Sequence, residues 1–218
     1  MIKGAFFDLD GVVFDTEPQY SRFWKAEGRR YHPEIPDLEK KIKGQTLTEI
    51  YDRYFADVAH EQPLITQRLN AFEQQMDFPF VPGLVDFVGD LRRNGVRTAV
   101  VTSSNRPKMA QVCRRHPDFG ALFDAVLTSE DFAESKPSPD CYLRAAARFN
   151  LSPDQCVGLE DSFNGMRSVL SARMTLVALA TTNPVEALEP YTRLILTDYL
   201  DVDYQWLARE TFNRCYDK

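Results

Sequence analysis

Residues 6–17 read FFDLDGVVFDTE. Ile2, Ala5, Phe6 and Phe7 form an apolar run suited to a short buried strand. The run ends in two aspartates one residue apart, and Gly11 supplies the turn that follows. Asp8 and Asp10 would then stand at the strand's carboxyl end. Two carboxylates held that close repel, and burial worsens the repulsion, so the pair needs a cation, a shared proton or strong hydrogen-bond donors. Taken alone, the same residues fit a solvated Asp-Gly turn equally well, and the rest of the chain has to decide.

At 218 residues the chain exceeds the commonest single-domain size but is short for two full domains, so one core domain with an insertion is expected. A 44% hydrophobic content suffices for a sizeable core. The net charge of −6 argues against a polyanion-binding surface, and the pairs Arg29–Arg30, Arg92–Arg93 and Arg114–Arg115 are scattered, so no nucleic-acid partner is expected. Cys113, Cys141, Cys156 and Cys215 stand far apart, and the N-terminus runs straight into a core strand with no signal peptide. No apolar stretch reaches membrane-spanning length. The reading is a reduced, cytoplasmic, monomeric protein with no membrane partner. His32, His60 and His116 are isolated, which disfavours a zinc site or a Ser-His-Asp triad. Carboxylates must carry the chemistry.

Residues 17–80 show helical periodicities at 17–29, 46–58 and 62–76, punctuated by Pro33, Pro36, Pro63 and Pro79. From Pro82 onward helices and strands alternate: helix 83–94, strand 96–102, helix 106–115, strand 124–128, helix 139–149 with Ser138 as N-cap, strand 155–159, helix 163–172, strand 175–179 and strand 193–196. Apolar residues at helix-like intervals fill 199–214. This pattern predicts an α/β fold, a Rossmann-like parallel sheet whose ligands bind beyond the strands' carboxyl ends, with an inserted all-helical unit. The expected division is a core of 1–15 and 82–218 and a helical cap of 16–81, with Thr16 and Pro82 as hinge positions. No glycine-rich GxGxxG fingerprint supports a dinucleotide site.

Just past the predicted strands stand Asp8 and Asp10, then Thr102, Ser103 and Ser104, then Glu160 and Asp161, with Lys136 in the loop SKPSPD. Each group alone is ordinary, since Ser104 suits the N-cap of the helix beginning near Pro107 and Glu160–Asp161–Ser162 is an acceptable cap. Their coincidence at one sheet edge is what points to a site. Four carboxylates against Lys136 leave three negatives, which demand a divalent cation, and oxygen-only ligands favour Mg²⁺. One negative then remains, and a proton on Asp10 removes it, as a general acid requires.

DLDGVVFDTE, the VVTSS strand end, the lysine of SKPSPD and GLEDSFNG, in that order and spacing, resemble the four motifs of the haloacid dehalogenase superfamily. The helical insertion between the first two resembles its phosphatase and beta-phosphoglucomutase branch. The resemblance implies that Asp8 is a nucleophile that becomes an aspartyl-phosphate, and that Asp10 protonates the leaving group and then activates water. It implies that Thr102 and the Ser103 amide hold the phosphoryl group while Lys136 neutralises it. Asp8, the Asp10 carbonyl, Asp161 and, through water, Glu160 would hold Mg²⁺. A halide leaving group would give Asp10 and the acidic cluster no role, so dehalogenation is disfavoured.

Against the mutases of that branch, Tyr20 stands where a histidine is expected and Leu47 where an arginine is expected. The missing arginine removes the group best suited to grip a second phosphate. The reading therefore favours a phosphatase acting on a small phosphorylated metabolite, with the mutase as alternative. Glu17, Tyr20, Trp24, Gln45, Thr46, Asn105 and Arg106 are the expected substrate-facing residues, Arg106 as a substitute cation and Trp24 equally as a core aromatic. Arg173 is expected in a left-handed conformation at a helix end. A phosphorylatable receiver-type module uses similar residues, but it places its aspartate on a middle strand and lacks a large helical insertion.

Overall fold

The computed structural model describes residues 1–42, 45 and 47–213, so Thr46 and Cys215 lie outside the described residues. Strand β1 (Gly4–Phe7) is followed by helices α1 (Glu17–Tyr31), α2 (Leu38–Lys41), α3 (Leu47–Tyr54), α4 (Gln62–Gln75) and α5 (Leu84–Arg93). The chain continues through β2 (Arg97–Val101), α6 (Arg106–Arg115), α7 (Phe119–Leu122), β3 (Ala125–Leu127), α8 (Asp140–Arg148), β4 (Cys156–Glu160) and α9 (Phe163–Ser171). It closes with β5 (Thr175–Leu179), α10 (Val185–Leu188), β6 (Ile195–Leu196) and α11 (Tyr204–Asn213).

The strands form a parallel sheet in the order β3-β2-β1-β4-β5-β6. β1 lies in its middle, with Phe7 in register with Val100 on one side and Leu159 on the other. The chain first builds outward from β1 through β2 and β3, then crosses to β4 on the opposite flank. The direction of winding thus reverses beside β1, where an open α/β sheet leaves a crevice. Alternation along the strands feeds both faces. Ala5, Phe7, Val100, Val157 and Leu159 join one core with α5, α6 and α11, while Phe6, Ala99, Val101 and Leu176 join the other with α8 and α9.

Helices α1–α4 pack around a third apolar cluster of Phe23, Trp24, Leu38, Ile42, Ile50, Phe55, Ile65 and Leu69. Arg68 of α4 clamps the buried Glu27 of α1 with two donors, at 2.9 and 2.6 Å, a bidentate geometry that fixes orientation as well as charge. The segments leading into and out of these helices run side by side. The Val81 amide donates to the Val13 carbonyl at 3.0 Å and the Asp15 amide to the Pro79 carbonyl at 2.9 Å. The rings of Phe14 and Phe80 stack at 4.8 Å, and the Phe78 carbonyl accepts from His116 Nε2 at 2.8 Å.

Several local expectations change. Asn105, not Ser104, caps α6, its Oδ1 accepting the Lys108 amide at 3.0 Å, because Ser104 turns its hydroxyl to Asp10. Pro139 rather than Ser138 occupies the N-cap of α8, although the Ser138 hydroxyl still accepts the Asp140 amide at 3.4 Å. The terminal helix begins at Tyr204, not near 199. Tyr199 is buried instead by stacking on Phe87 and packing on Phe7, so its apolar spacing reflects core packing and not helix. Glu160 is the last residue of β4 rather than lying beyond it. Arg173 has φ +60°, the left-handed conformation expected at the end of α9.

Candidate active site

Asp8 follows β1 directly, its amide continuing the sheet by donating to the Leu159 carbonyl at 3.0 Å. Gly11 then turns the chain at φ +77°, a region costly for other residues. A Cβ there would also fall inside the Asp161 carboxylate, so the glycine of DLDG is required on both counts. The turn brings Asp8 against the end of β4.

Lys136 reaches the same point from the loop before α8. Its Nζ lies 2.6 Å from Asp8 Oδ1, 2.6 Å from Glu160 Oε1 and 3.0 Å from the Val101 carbonyl. Glu160 is fully buried, and its Oε1 also accepts the Tyr142 hydroxyl at 2.7 Å. The carboxylate presses on the first turn of α9 so closely that a Cβ at Gly165 would overlap it, which accounts for the glycine in DSFNG. Asp161 accepts the Thr182 hydroxyl on Oδ2 and the Asn183 side-chain amide on its backbone carbonyl.

Carboxylate oxygens of Asp8, Glu160 and Asp161 lie within 4.8 Å of one another. Burial pushes Asp8 up to about 7, against the pull of Lys136 and with Glu160 and Asp10 adding to the rise. Burial, then Asp8 and Glu160, hold Asp161 well above the carboxylate range. Burial alone would lower Lys136, but Asp8 and Glu160 outweigh it and raise the ammonium's proton affinity. Three crowded oxygen donors, of which burial makes Asp8 and Asp161 costly to ionise, fit a hard divalent ion, and Mg²⁺ suits the donor set.

Asp10 stands beside this trio and is gripped from three sides. Oδ1 accepts the Thr16 hydroxyl at 2.7 Å, while Oδ2 accepts Ser104 Oγ at 3.2 Å and Lys108 Nζ at 2.5 Å. The ammonium of Lys108 also lies 4.9 Å from the centroid of the Tyr20 ring, in cation–π range, and the Tyr20 hydroxyl donates to Glu73 at 2.8 Å.

These groups form the floor of a cleft of about 560 Å³ beneath helices α1–α4. Asp8, Asp10, Thr102, Ser103, Lys136 and Asp161 line it, as do Glu17, Tyr20, Trp24, Gln45 and Asn105. Glu160 supports the floor from below. Trp24 is at once a core residue of the helical cluster and part of the cleft wall. Arg106 is not brought there: its guanidinium faces Asp131 at 3.4 Å on the surface, because the first turn of α6 points that side chain outward. Thr46 lies outside the described residues.

Sequence reasoning passed over Lys108, Thr182 and Glu73. A lysine in the first turn of a helix opposes the helix dipole, and that anomaly was the available signal for a buried anionic partner. Thr182 follows β5, so the strand-end rule applied one strand further would have found it. Glu73 had no signal, since only the docking of α4 brings it to Tyr20.

The sequence profile of a family described as haloacid dehalogenase-like hydrolase matches residues 2–173. The chain is 32% identical to hexitol phosphatase A of Escherichia coli K12 over 186 residues, covering 81% of this chain and 82% of that protein. It is 27% identical to beta-phosphoglucomutase of Bacillus subtilis 168 over 204 residues, covering 84% and 86%. Among solved structures, a HAD hydrolase of family IA, variant 3, from Entamoeba histolytica superposes with a TM-score of 0.82 at 19% identity, covering 97% of this chain and 100% of that one.

Proposed function

This chain belongs to the haloacid dehalogenase-like hydrolases, and from that premise we propose that it is a Mg²⁺-dependent phosphatase of a small phosphorylated sugar or sugar alcohol. The observation that carries the reading is the cleft floor, where Asp8 and Asp10 stand side by side with Lys136 across Asp8. Asp8 Oδ attacks phosphorus, the bond from phosphorus to the leaving oxygen breaks, and a proton held on Asp10 passes to that oxygen. Water then attacks the aspartyl-phosphate, its proton returns to Asp10, and the bond between phosphorus and Asp8 breaks. Thr102 and the Ser103 amide hold the phosphoryl oxygens, with Lys136 against their charge.

Asp8, the Asp10 carbonyl and Asp161 would hold Mg²⁺, with Glu160 behind them, and the chemistry it would supply there is neutralisation of charge on the transferring group. Lys108 revises the charge count made from sequence. Four carboxylates against two ammonium groups leave two negatives, the charge of one Mg²⁺, so the loaded centre is balanced without a proton on Asp10. A phosphate dianion adds two negatives, and the proton that Asp10 gives to the leaving oxygen as general acid offsets one of them.

Helices α1–α4, over 16–81, act as the cap that selects the leaving group. Glu17, Glu39 and Glu73 line the cap side of the cleft, and no arginine is among the described lining residues. Leu47 lines it where a mutase would place its arginine. Among the described residues of that side a second, non-transferring phosphate would meet carboxylates and no arginine, which supports hydrolysis over mutation. The test is phosphate release from a panel of hexitol phosphates, and from beta-glucose 1-phosphate with its bisphosphate, in the presence of Mg²⁺. Free phosphate is expected from wild type and none from Asp8→Asn. Efficient formation of glucose 6-phosphate, or Mg²⁺-dependent turnover surviving in Asp8→Asn, overturns the proposal.

A further inference from the structure

We infer that Lys108 is a positioning residue for Asp10, and that it assigns the two carboxylate oxygens different tasks: Oδ2 is the anchored oxygen and Oδ1 the one that gives and takes the proton. The inference rests on the phosphatase reading above. A carboxylate offers about four acceptor positions, two on each oxygen. On Oδ2 both are taken, by Lys108 Nζ at 2.5 Å and Ser104 Oγ at 3.2 Å. On Oδ1 the Thr16 hydroxyl, at 2.7 Å, takes one. The remaining position belongs to Oδ1. A proton placed on Oδ2 would also confront the Lys108 ammonium, so charge and occupancy select the same atom.

Lys108 is itself fixed along its length. Its amide is held by the Asn105 cap, its side chain is only 6% exposed, and its ammonium lies near the Tyr20 ring, whose hydroxyl is held by Glu73. Two of the three groups that orient Asp10, Lys108 and Ser104, come from the sheet's own helix and loop. The third, Thr16, comes from the seam at the base of α1. Asp10 is therefore anchored at Oδ2 by two groups of the core and met at Oδ1 by Thr16 where the helical unit begins, and Tyr20 adds only the lid over Lys108. In the first half-reaction the proton leaves Oδ1 for the departing alkoxide. In the second, the same oxygen receives a proton from the attacking water, and the carboxylate does not turn between the steps.

The experiment compares wild type, Lys108→Met and Lys108→Arg with Mg²⁺ on a hexitol phosphate and on p-nitrophenyl phosphate. In Lys108→Met, kcat on the hexitol ester is expected to fall at least about tenfold while KM stays within about threefold, the pattern of a lost transition-state interaction. Lys108→Arg recovers most of the loss. Inhibition by orthovanadate stays within about threefold of wild type in both variants, because Asp8, Thr102 and Lys136 are untouched. In rapid-quench single turnovers, formation of the aspartyl-phosphate slows less for p-nitrophenyl phosphate, whose leaving group departs without a proton. An unchanged kcat, a raised KM at unchanged kcat, or equal slowing with both esters overturns the assignment. A wild type that hydrolyses neither ester refutes the phosphatase reading and takes this inference with it. A wild type that hydrolyses both, with an indifferent Lys108→Met, refutes only the role of Lys108.

Discussion

Asp8→Asn should make the metal-free protein more stable while destroying its activity. In the folded protein Asp8 is pushed from its ordinary 3.8 up to about 7, chiefly by burial. Between those values the folded chain keeps a proton that the unfolded chain has lost. Stability therefore falls as pH rises through this window, and the full penalty stands above pH 7. At roughly 1.4 kcal/mol per tenfold change in proton affinity, the penalty has a ceiling of about 4 kcal/mol. Asparagine removes it but weakens the 2.6 Å contact with Lys136. That ammonium still keeps Glu160 at 2.6 Å and the Val101 carbonyl at 3.0 Å, so a net gain of about 1–3 kcal/mol remains. For a chain of this size each kcal/mol moves the melting temperature by about 2–4 °C. Thermal melts in EDTA at pH 8 should show the variant above wild type by several degrees. At pH 5 the advantage should shrink by more than half, because less of the window has been crossed. Added Mg²⁺ should raise wild type more than the variant. A variant that melts below wild type at pH 8 in EDTA, or a difference indifferent to pH, would refute the reasoning.

Two further outcomes follow from the same site and its surroundings. Asp161→Ala should raise the Mg²⁺ concentration giving half-maximal activity by at least about tenfold, and an unchanged titration would remove Asp161 from the metal site. Arg173→Gly should raise urea-unfolding stability by about 0.5–1 kcal/mol. The left-handed φ of +60° is relieved, and the greater freedom of unfolded glycine offsets part of the gain. A lower midpoint would show that the arginine's side chain matters more than its backbone.

The sheet was legible because each strand is a short apolar run closed by a turn residue, and the helix predicted at 106–115 spans those same residues in the structure. Expectations failed where tertiary contacts overrode spacing, as at Tyr199. The cleft floor was legible for a related reason: in a parallel sheet the chemistry must lie at strand ends, and strand ends can be found in a sequence. Asp8, Lys136, Glu160 and Asp161 were found by that rule. The walls above the floor follow no such rule. Glu73 meets Tyr20 across 53 positions of chain, and Lys108 meets Asp10 across 98. Only tertiary packing creates those contacts, and Arg106, two residues from Lys108, shows how little separates a buried cation from a surface one.

The seam where residues 13–15 run beside 79–81 gives the helical unit a closed base. Once the ends of a loop are pinned together, lengthening the chain between them costs little, about 0.6 kcal/mol for each doubling. The segment hung from this base is therefore free to grow, shrink or be replaced over evolutionary time, while the sheet and the carboxylates beneath it keep their places. On the proposed function, in which these helices select the leaving group, substrate preference would be heritable as a module, exchanged whole and not rebuilt residue by residue. One residue limits the freedom of that exchange: Thr16 directly follows the seam, and any replacement must begin with a hydroxyl able to hold Asp10.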